Sequence, residues 1–141
     1  MFLKKAICFM MILSALLLAA CGAGGGATEG VDVDLSRLGG AVVYGKVYDM
    51  LTNGEKYEGQ TVRMSGYLNQ IVEKQKGVVV NEFYSCFISD AEGCCSQGIE
   101  FVLEEGGEYP PLGSPVTVEG VWNNYTFYGI RRCRLLNAKL K

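Results

Sequence analysis

Two glycines, Gly66 and Gly120, interrupt segments in which apolar and polar residues otherwise alternate, and this combination restricts the fold of the chain. Alternation predicts β-strands with one buried face. A glycine inside a strand often marks a bulge or a sharp bend, which small closed barrels need. Five strands are predicted: Thr61 to about Val72, Val78 to Ser89, Gly98 to Leu103, Val116 to Trp122, and Tyr128 to Leu140.

The same alternation predicts which strand residues face the core. It points Val62 and Met64 inward in the first strand, and Ile99, Phe101 and Leu103 inward in the third. In the last strand, it places three residues on one face: Leu136, Ala138 and Leu140. Asn123-Asn124 is predicted to start the turn before that strand, because asparagine favours turns.

A single helix is predicted before these strands, at about Val42 to Thr52. Its evidence is an apolar stripe with helical spacing, formed by Val43, Val47, Met50 and Leu51. Gly54 is suited to the left-handed position that ends a helix. The predicted fold class is therefore mainly β: a small five-stranded, antiparallel barrel for which the OB fold is the best fit, with one short helix before the first strand. The helix could cap one barrel end, and an open sandwich or meander is the alternative.

The N-terminus carries the features of an export signal. Lys4 and Lys5 precede an uncharged apolar run that ends in Leu18-Ala19-Ala20-Cys21. This segment resembles the lipobox of bacterial lipoproteins. The resemblance implies that the Cys21 thiol receives a diacylglycerol, that acyl chains such as palmitate anchor the protein, and that cleavage leaves Cys21 as the new N-terminus. A plain secretion signal and an uncleaved anchor are the alternatives.

This interpretation divides the chain into three parts. Residues 1–20 form a lipoprotein signal peptide, residues 21–40 a lipidated cysteine with a glycine-rich tether, and residues 41–141 one OB-like domain. The predicted location is the extracytoplasmic face of the cell membrane, with the lipid as the membrane contact.

Charge and composition exclude several functions. Removal of residues 1–20 lowers the count of Lys plus Arg from 13 to 11 against 15 Asp plus Glu, a net charge of −4. Such a balance argues against a nucleic-acid partner, which requires a positive surface. The chain has no histidine, which excludes Ser-His-Asp and Cys-His catalysis and histidine metal sites.

Four cysteines follow Cys21 and form the one concentration of reactive groups: Cys86, Cys94, Cys95 and Cys133. Three interpretations stay open. The first is a structural disulfide, most simply from Cys133 or Cys86 to one of the adjacent pair, as export permits. The second is a four-thiolate zinc or iron–sulfur site. The third is free thiols that are buried or redox-active.

A basic and aromatic segment near the C-terminus is the second candidate site, with the residues Trp122, Tyr125, Tyr128, Arg131, Arg132 and Arg134. OB barrels often bind oligonucleotides or sugars on such a face. An exported, negatively charged chain favours a protein, peptide or glycan ligand instead. A solvated strand face with aromatic residues in the core is the alternative.

Two further segments carry a resemblance. Residues 47–66 are similar to stretches that open OB-like domains of exported bacterial proteins, including the soluble subunit of a permease family. Residues 87–101 resemble the middle of small Firmicutes lipoproteins of unassigned function. The permease-associated domains carry Cys-Cys before Ala-Asp-Ala, whereas here Cys94-Cys95 follows Asp90-Ala91. The resemblance implies a fold and a compartment, and no reaction.

The predicted function is a membrane-anchored, non-enzymatic binding module at the cell surface. The alternative is a thiol redox or zinc-binding lipoprotein that uses the four cysteines. No cofactor is expected for the first function, and zinc at the cysteine group belongs to the second.

Overall fold

The computed structural model describes residues 30–141. The predicted signal peptide, the predicted lipidation site Cys21 and the first part of the predicted tether, residues 22–29, lie outside the described residues. Within residues 30–141, no helix is both long enough and apolar enough to cross a bilayer.

The first strand within residues 30–141 is a short one, β1 (Val33–Asp34), which the sequence pattern did not predict. Its two residues pair in parallel with Val62 and Arg63 of the next strand. Flanking Val31 and Leu35 are buried, so this segment is ordered by docking onto the sheet. The helix was predicted to lie before the first strand. This prediction is corrected, because the helix follows β1 and precedes the five long strands.

The helix α1 (Gly40–Thr52) confirms the predicted segment to within two residues. Val43, Val47 and Met50 of its apolar stripe are buried, whereas Leu51 stays partly exposed. A 3-10 helix, Gly54–Tyr57, follows directly. The predicted left-handed cap at Gly54 is wrong, since Gly54 does not have a positive φ. Glycine is needed there for space: a Cβ would lie 2.4 Å from Asn124 Oδ1.

All five predicted strands are present, and most are longer than predicted. They are β2 (Thr61–Gln75), β3 (Val78–Ser89), β4 (Ser96–Leu103), β5 (Pro115–Phe127) and β6 (Ile130–Leu140). Asn123-Asn124 lies within β5, so the predicted turn at these residues is wrong. The turn is Tyr128-Gly129, with φ of 48° and 77°, and Lys76-Gly77 joins β2 to β3 with φ of 50° and 82°. Two successive positive φ angles are typical of type I′ hairpins.

The strands form one six-stranded sheet in the order β1-β2-β3-β4-β6-β5, and β2 also pairs with β5. Each of the five long strands thus has a long-strand neighbour on both sides. The pairs β2–β3, β3–β4, β5–β6 and β2–β5 are antiparallel. The pair β4–β6 is parallel, which corrects the all-antiparallel prediction. The parallel direction follows from the path of the chain. After β4 the chain crosses over to form β5 next to β2, and it then returns as β6 next to β4.

The buried face of the sheet joins the helical stripe in one core. Val62, Met64, Ile99 and Phe101 are buried as predicted. The last strand departs from simple alternation, because Leu135 and Ala138 are buried while Leu140 is partly exposed. Asn137 has a φ of 49°, and the β5–β6 register shifts between Glu119 and Val121. These irregularities exchange which residues face the core.

The mid-strand glycines lie where the backbone of a neighbouring strand comes close. A Cβ on Gly66 would lie 2.3 Å from the Phe87 carbonyl oxygen and 2.9 Å from Cys86 Sγ. A Cβ on Gly120 would lie 3.0 Å from both Leu135 Cβ and the Leu136 carbonyl oxygen. Gly120 also occupies the register shift between β5 and β6, so a bulge confirms the predicted role of this glycine.

Substitution of Gly66 by alanine tests this packing. We expect Gly66→Ala to lower the free energy of unfolding by about 2–3 kcal/mol, because the new methyl group meets backbone that cannot move aside. The matched control is Gly45→Ala, since Gly45 lies in α1 with nothing within 4 Å of its Cβ position. That control should stabilise the chain by about 0.5–1 kcal/mol. Urea unfolding of the full-length chain measures both, and equal stability of Gly66→Ala and wild type would contradict the analysis.

Candidate functional site

A groove of about 440 Å³ lies between the β2–β3 hairpin, strand β4 and the β5–β6 hairpin. We call it the groove and define it by Phe83, Tyr84, Glu100, Tyr125, Phe127 and Arg134. The two hairpins reach it because their strands continue past the segments that pair with the rest of the sheet. Its lining combines aromatic rings with one guanidinium group and two carboxylates, since Glu82 also borders it.

An ion pair links the two hairpins beside the groove. Arg132 Nη2 of β6 donates to Glu73 Oε1 of β2 over 2.7 Å, and Asn81 donates to the other carboxylate oxygen over 3.1 Å. The Arg132 guanidinium also lies 5.7 Å from the ring centroid of Phe83 and 5.1 Å from that of Phe127. The hydrogen bond from Arg132 lowers the pKa of Glu73. The pair therefore holds both hairpins at a fixed separation at neutral pH.

The floor of the groove carries a second polar contact. The Tyr125 hydroxyl donates to Glu100 Oε2, and Glu100 is buried. Burial, together with the Glu100 carboxylate, raises the pKa of Tyr125 to about 12, so this hydroxyl stays protonated at neutral pH. The Arg134 guanidinium lies 4.4 Å from the centroid of the Tyr125 ring. Its Nε donates to Asn123 Oδ1 over 3.4 Å, and no carboxylate of residues 30–141 lies within 4.0 Å of it.

One side of the β2–β3 hairpin has no neighbouring strand. Strand β3 pairs with β4 only from Ser85 to Ser89, whereas it pairs with β2 from Val78 onward. The segment 78–84 is thus a free strand edge beside the groove. Apolar residues at the two hairpin ends are at least half exposed: Val78, Val79, Tyr128 and Ile130. A free edge with exposed apolar residues is typical of an interaction surface.

The predicted basic and aromatic residues separate into three groups. Tyr125 and Arg134 line the groove, and Arg132 links the hairpins next to it. Tyr128 lies in the β5–β6 turn, and Arg131 is exposed and paired with Glu55.

Trp122 is fully buried and packs against Tyr57, with ring centroids 5.9 Å apart. It therefore lies outside the groove. Phe83, Tyr84 and Glu100 were not predicted from the sequence. The available signal for Phe83 was its odd position in β3, which places it on the face opposite Cys86.

The four cysteines are free thiols and do not meet in one site. Cys86 is fully buried in the core, and burial raises its pKa to about 12. Cys133 is partly buried, and burial is the main cause of its pKa of about 11. Cys94 and Cys95 are exposed. Within residues 30–141, the one group of three potential metal ligands is Asp90, Cys94 and Cys95, so a four-thiolate site is not assembled.

The chemistry available in the groove is recognition: aromatic rings, a guanidinium and two carboxylates line it, and a strand edge without a partner strand borders it. Comparison of the chain with protein-family models, with curated proteins and with solved structures finds no match. The groove, its free strand edge and its charged side chains are therefore the features that indicate a function.

Replacement of Glu73 tests the link between the hairpins. We expect Glu73→Gln to remove about 0.5–1 kcal/mol of stability and to speed amide exchange at both hairpin ends, because the ion pair is lost. The folded pKa of Glu73 lies below its ordinary value of 4.5. The contribution of the Glu73–Arg132 ion pair to the free energy of unfolding is thus present above pH 4.5, and it is lost as the pH falls through the folded pKa of Glu73.

Amide exchange of the full-length chain, measured at neutral pH and at pH 3, checks this prediction. Glu82→Gln is the control, since Glu82 lies on the same hairpin and forms no ion pair within residues 30–141. Equal exchange in Glu73→Gln and wild type would contradict the proposed link.

Thiol alkylation tests the placement of the cysteines. At neutral pH, iodoacetamide should modify Cys94 and Cys95 first, Cys133 more slowly, and Cys86 only after denaturation, because the reactive species is an accessible thiolate. Peptide mass spectrometry follows each cysteine separately in the same sample. Modification of native Cys86 as fast as Cys95 would show that the core does not enclose it.

Proposed function

We propose that this chain is a lipid-anchored, extracytoplasmic binding module of the OB type, without enzymatic activity, which takes up an extended peptide segment of a partner protein. The observation that carries the proposal is the free edge of β3 at residues 78–84, which borders the groove. The bound segment would add a strand to this edge.

The ring of strand pairings supports the OB assignment. The five long strands follow the order β2-β3-β4-β6-β5, and β5 pairs again with β2. The parallel pair is β4 and β6, which are the third and fifth long strands along the chain. In OB folds, the face formed by the second and third strands binds ligands, between the first and fourth connecting loops. The corresponding elements here are the face of β3 and β4, the β2–β3 hairpin and the β5–β6 hairpin. These are the elements that border the groove.

Guanidinium groups already lie over aromatic rings in and beside the groove, and this favours a peptide ligand over a nucleic acid or a glycan. Stacking of bases or sugars needs open aromatic faces. In the groove, the guanidinium groups of Arg132 and Arg134 already lie over Phe83, Phe127 and Tyr125. The net charge of −2 for the whole chain also opposes nucleic-acid binding.

Strand addition fits the backbone at this edge. A peptide that pairs with an exposed strand gains its affinity from main-chain hydrogen bonds and its specificity from alternate side chains. Val78 and Val79 would contact apolar side chains of the peptide near the hairpin end. The peptide would cover up to the seven residues 78–84 of β3, a length within the usual range of a β-strand.

Arg134 would select the charge of the peptide. It is the groove cation without a carboxylate within 4.0 Å in the described part of the chain. A carboxylate can accept two parallel hydrogen bonds from a guanidinium group. A glutamate or aspartate side chain of the peptide is the chemistry that fits this position.

The proposed anchor explains how the module would meet its partner. Lipid on Cys21 would hold the domain at the membrane, and the residues between Cys21 and Gly30 would span at most about 30 Å when extended. The groove would then sample segments of proteins at the same membrane surface. Residues 21–40 remain the proposed tether region, with its last part docked through β1.

Retention of peptide pools tests this function. The probe is a pool of random heptapeptides with glutamate at the central position, compared with the same pool carrying glutamine there. Immobilised full-length chain should retain the glutamate pool about tenfold better, since a hydrogen bond to a charged group contributes about 1.5 kcal/mol. Arg134→Gln should abolish the preference. Arg37→Gln, which removes an exposed guanidinium outside the groove, should preserve it.

Two outcomes would contradict the proposal. The first is an undiminished glutamate preference in Arg134→Gln, which would place the selective cation elsewhere. The second is retention of neutral oligosaccharides, offered in the same format, with no retention of either peptide pool.

A further inference from the structure

The loop between β3 and β4 brings three potential metal ligands together. We call residues 90–95 the cysteine loop. Ligand atoms of Asp90, Cys94 and Cys95 all lie within 4.8 Å of one another. Both thiols are exposed, so a cation could reach them from solvent. The groove and the cysteine loop share no lining residue, which makes this surface separate from the proposed peptide site.

Backbone hydrogen bonds hold the cysteine loop in this shape. Asp90 N donates to the Cys95 carbonyl oxygen over 2.9 Å, which closes the base of the loop. Gly93 N donates to the Asp90 carbonyl oxygen over 3.2 Å, and Gly93 has a φ of 70°, which favours glycine. The pair Ser89–Ser96 continues into the β3–β4 ladder. The three side chains therefore start from a backbone that is already ordered.

Each oxygen of the Asp90 carboxylate accepts a hydrogen bond from Cys94, and the two bonds together orient the carboxylate. Cys94 N donates to Oδ1 over 2.9 Å, and the Cys94 thiol donates to Oδ2 over 3.1 Å. Oδ2 thus lies on the side of the sulfur atoms. The thiol proton that occupies this contact is the proton that a cation would displace.

The sulfur–sulfur distance matches an edge of a metal tetrahedron, and the sulfur–oxygen distance is that of the hydrogen bond a metal would replace. Zinc–sulfur bonds of about 2.3 Å at the tetrahedral angle place two sulfur atoms roughly 3.8 Å apart, and a zinc–oxygen bond of about 2.0 Å places oxygen roughly 3.5 Å from sulfur. Here the two sulfur atoms are 3.7 Å apart, and Cys94 Sγ is 3.1 Å from Asp90 Oδ2. Adjacent cysteines in a strand point to opposite faces, so this proximity depends on their position in the loop.

We propose that Asp90, Cys94 and Cys95 form a site for one thiophilic metal cation, tested here as Zn²⁺. Two thiolates and a carboxylate are a donor set that zinc accepts. On binding, each thiol releases one proton to solvent and forms one sulfur–metal bond, while the carboxylate oxygen forms the third bond. Water fills the fourth position, which faces solvent and stays open to exchange. Neither Cys86 nor Cys133 contributes a ligand.

Zinc titration of the reduced, full-length chain tests the site. A chromophoric chelator competes for Zn²⁺ and reports both stoichiometry and affinity. Wild type should bind one more equivalent of zinc than Cys94→Ser or Cys95→Ser, and Asp90→Asn should bind that equivalent at least tenfold more weakly. Cys133→Ser should match wild type. Circular dichroism of each variant confirms that the sheet is retained.

Cobalt provides a readout that adventitious binding would not reproduce. With Co²⁺ in place of zinc, wild type should show thiolate-to-cobalt charge transfer and the intense visible bands of tetrahedral cobalt, and Cys94→Ser and Cys95→Ser should each lose these bands together with the metal equivalent. The same stoichiometry in wild type and the Cys94→Ser/Cys95→Ser double variant would overturn the site. Loss of the equivalent in Cys133→Ser would also overturn it, because the ligands would then lie elsewhere.

Discussion

The pairing of β2 with two other long strands, β3 and β5, is the constraint on which the rest of the structure depends. Its first residues pair with β5 and its last residues with β3, and Tyr67 has a partner in each. The exchange of partners occurs next to Gly66, where the backbone of Phe87 leaves no room for a Cβ. Because β2 pairs with β5 as well as with β3, the series of strand pairings is closed. Val62 and Met64 of β2 lie in the core.

This pairing also creates the groove. Since β2 leaves β5 early and continues with β3, the β2–β3 hairpin extends past the residues that pair with β4 and exposes the edge of β3 at residues 78–84. The β5–β6 hairpin extends in the same way, and the Glu73–Arg132 ion pair connects the two. A partly exposed ion pair contributes little to global stability. We propose that it sets the width between the hairpins and thereby the space for an added strand.

The mainly β class, the helical stripe and the positions of the five strands were predictable, because alternation and helical spacing are local signals. The register was not, since the bulge at Gly120 and the left-handed Asn137 shift the buried residues of β6 to Leu135 and Ala138. The same limit applies to the site. Tyr125 and Arg134 were found in a charged segment. However, the hydrogen bond from Tyr125 to Glu100 and the register position of Arg134 beside Glu100 depend on a parallel pairing that joins distant parts of the chain. The separation of Cys86 from Cys94 likewise follows from burial, which cysteine spacing does not encode.

Isotope-filtered nuclear Overhauser measurements on the full-length chain, bound to the best-retained glutamate peptide, test the central claim most directly. Strand addition predicts contacts between peptide backbone protons and backbone protons of β3 at residues 78–84, in a regular alternating pattern. A peptide that contacts only side chains, or only residues of other strands, would contradict the proposal that the free edge of β3 is the binding element.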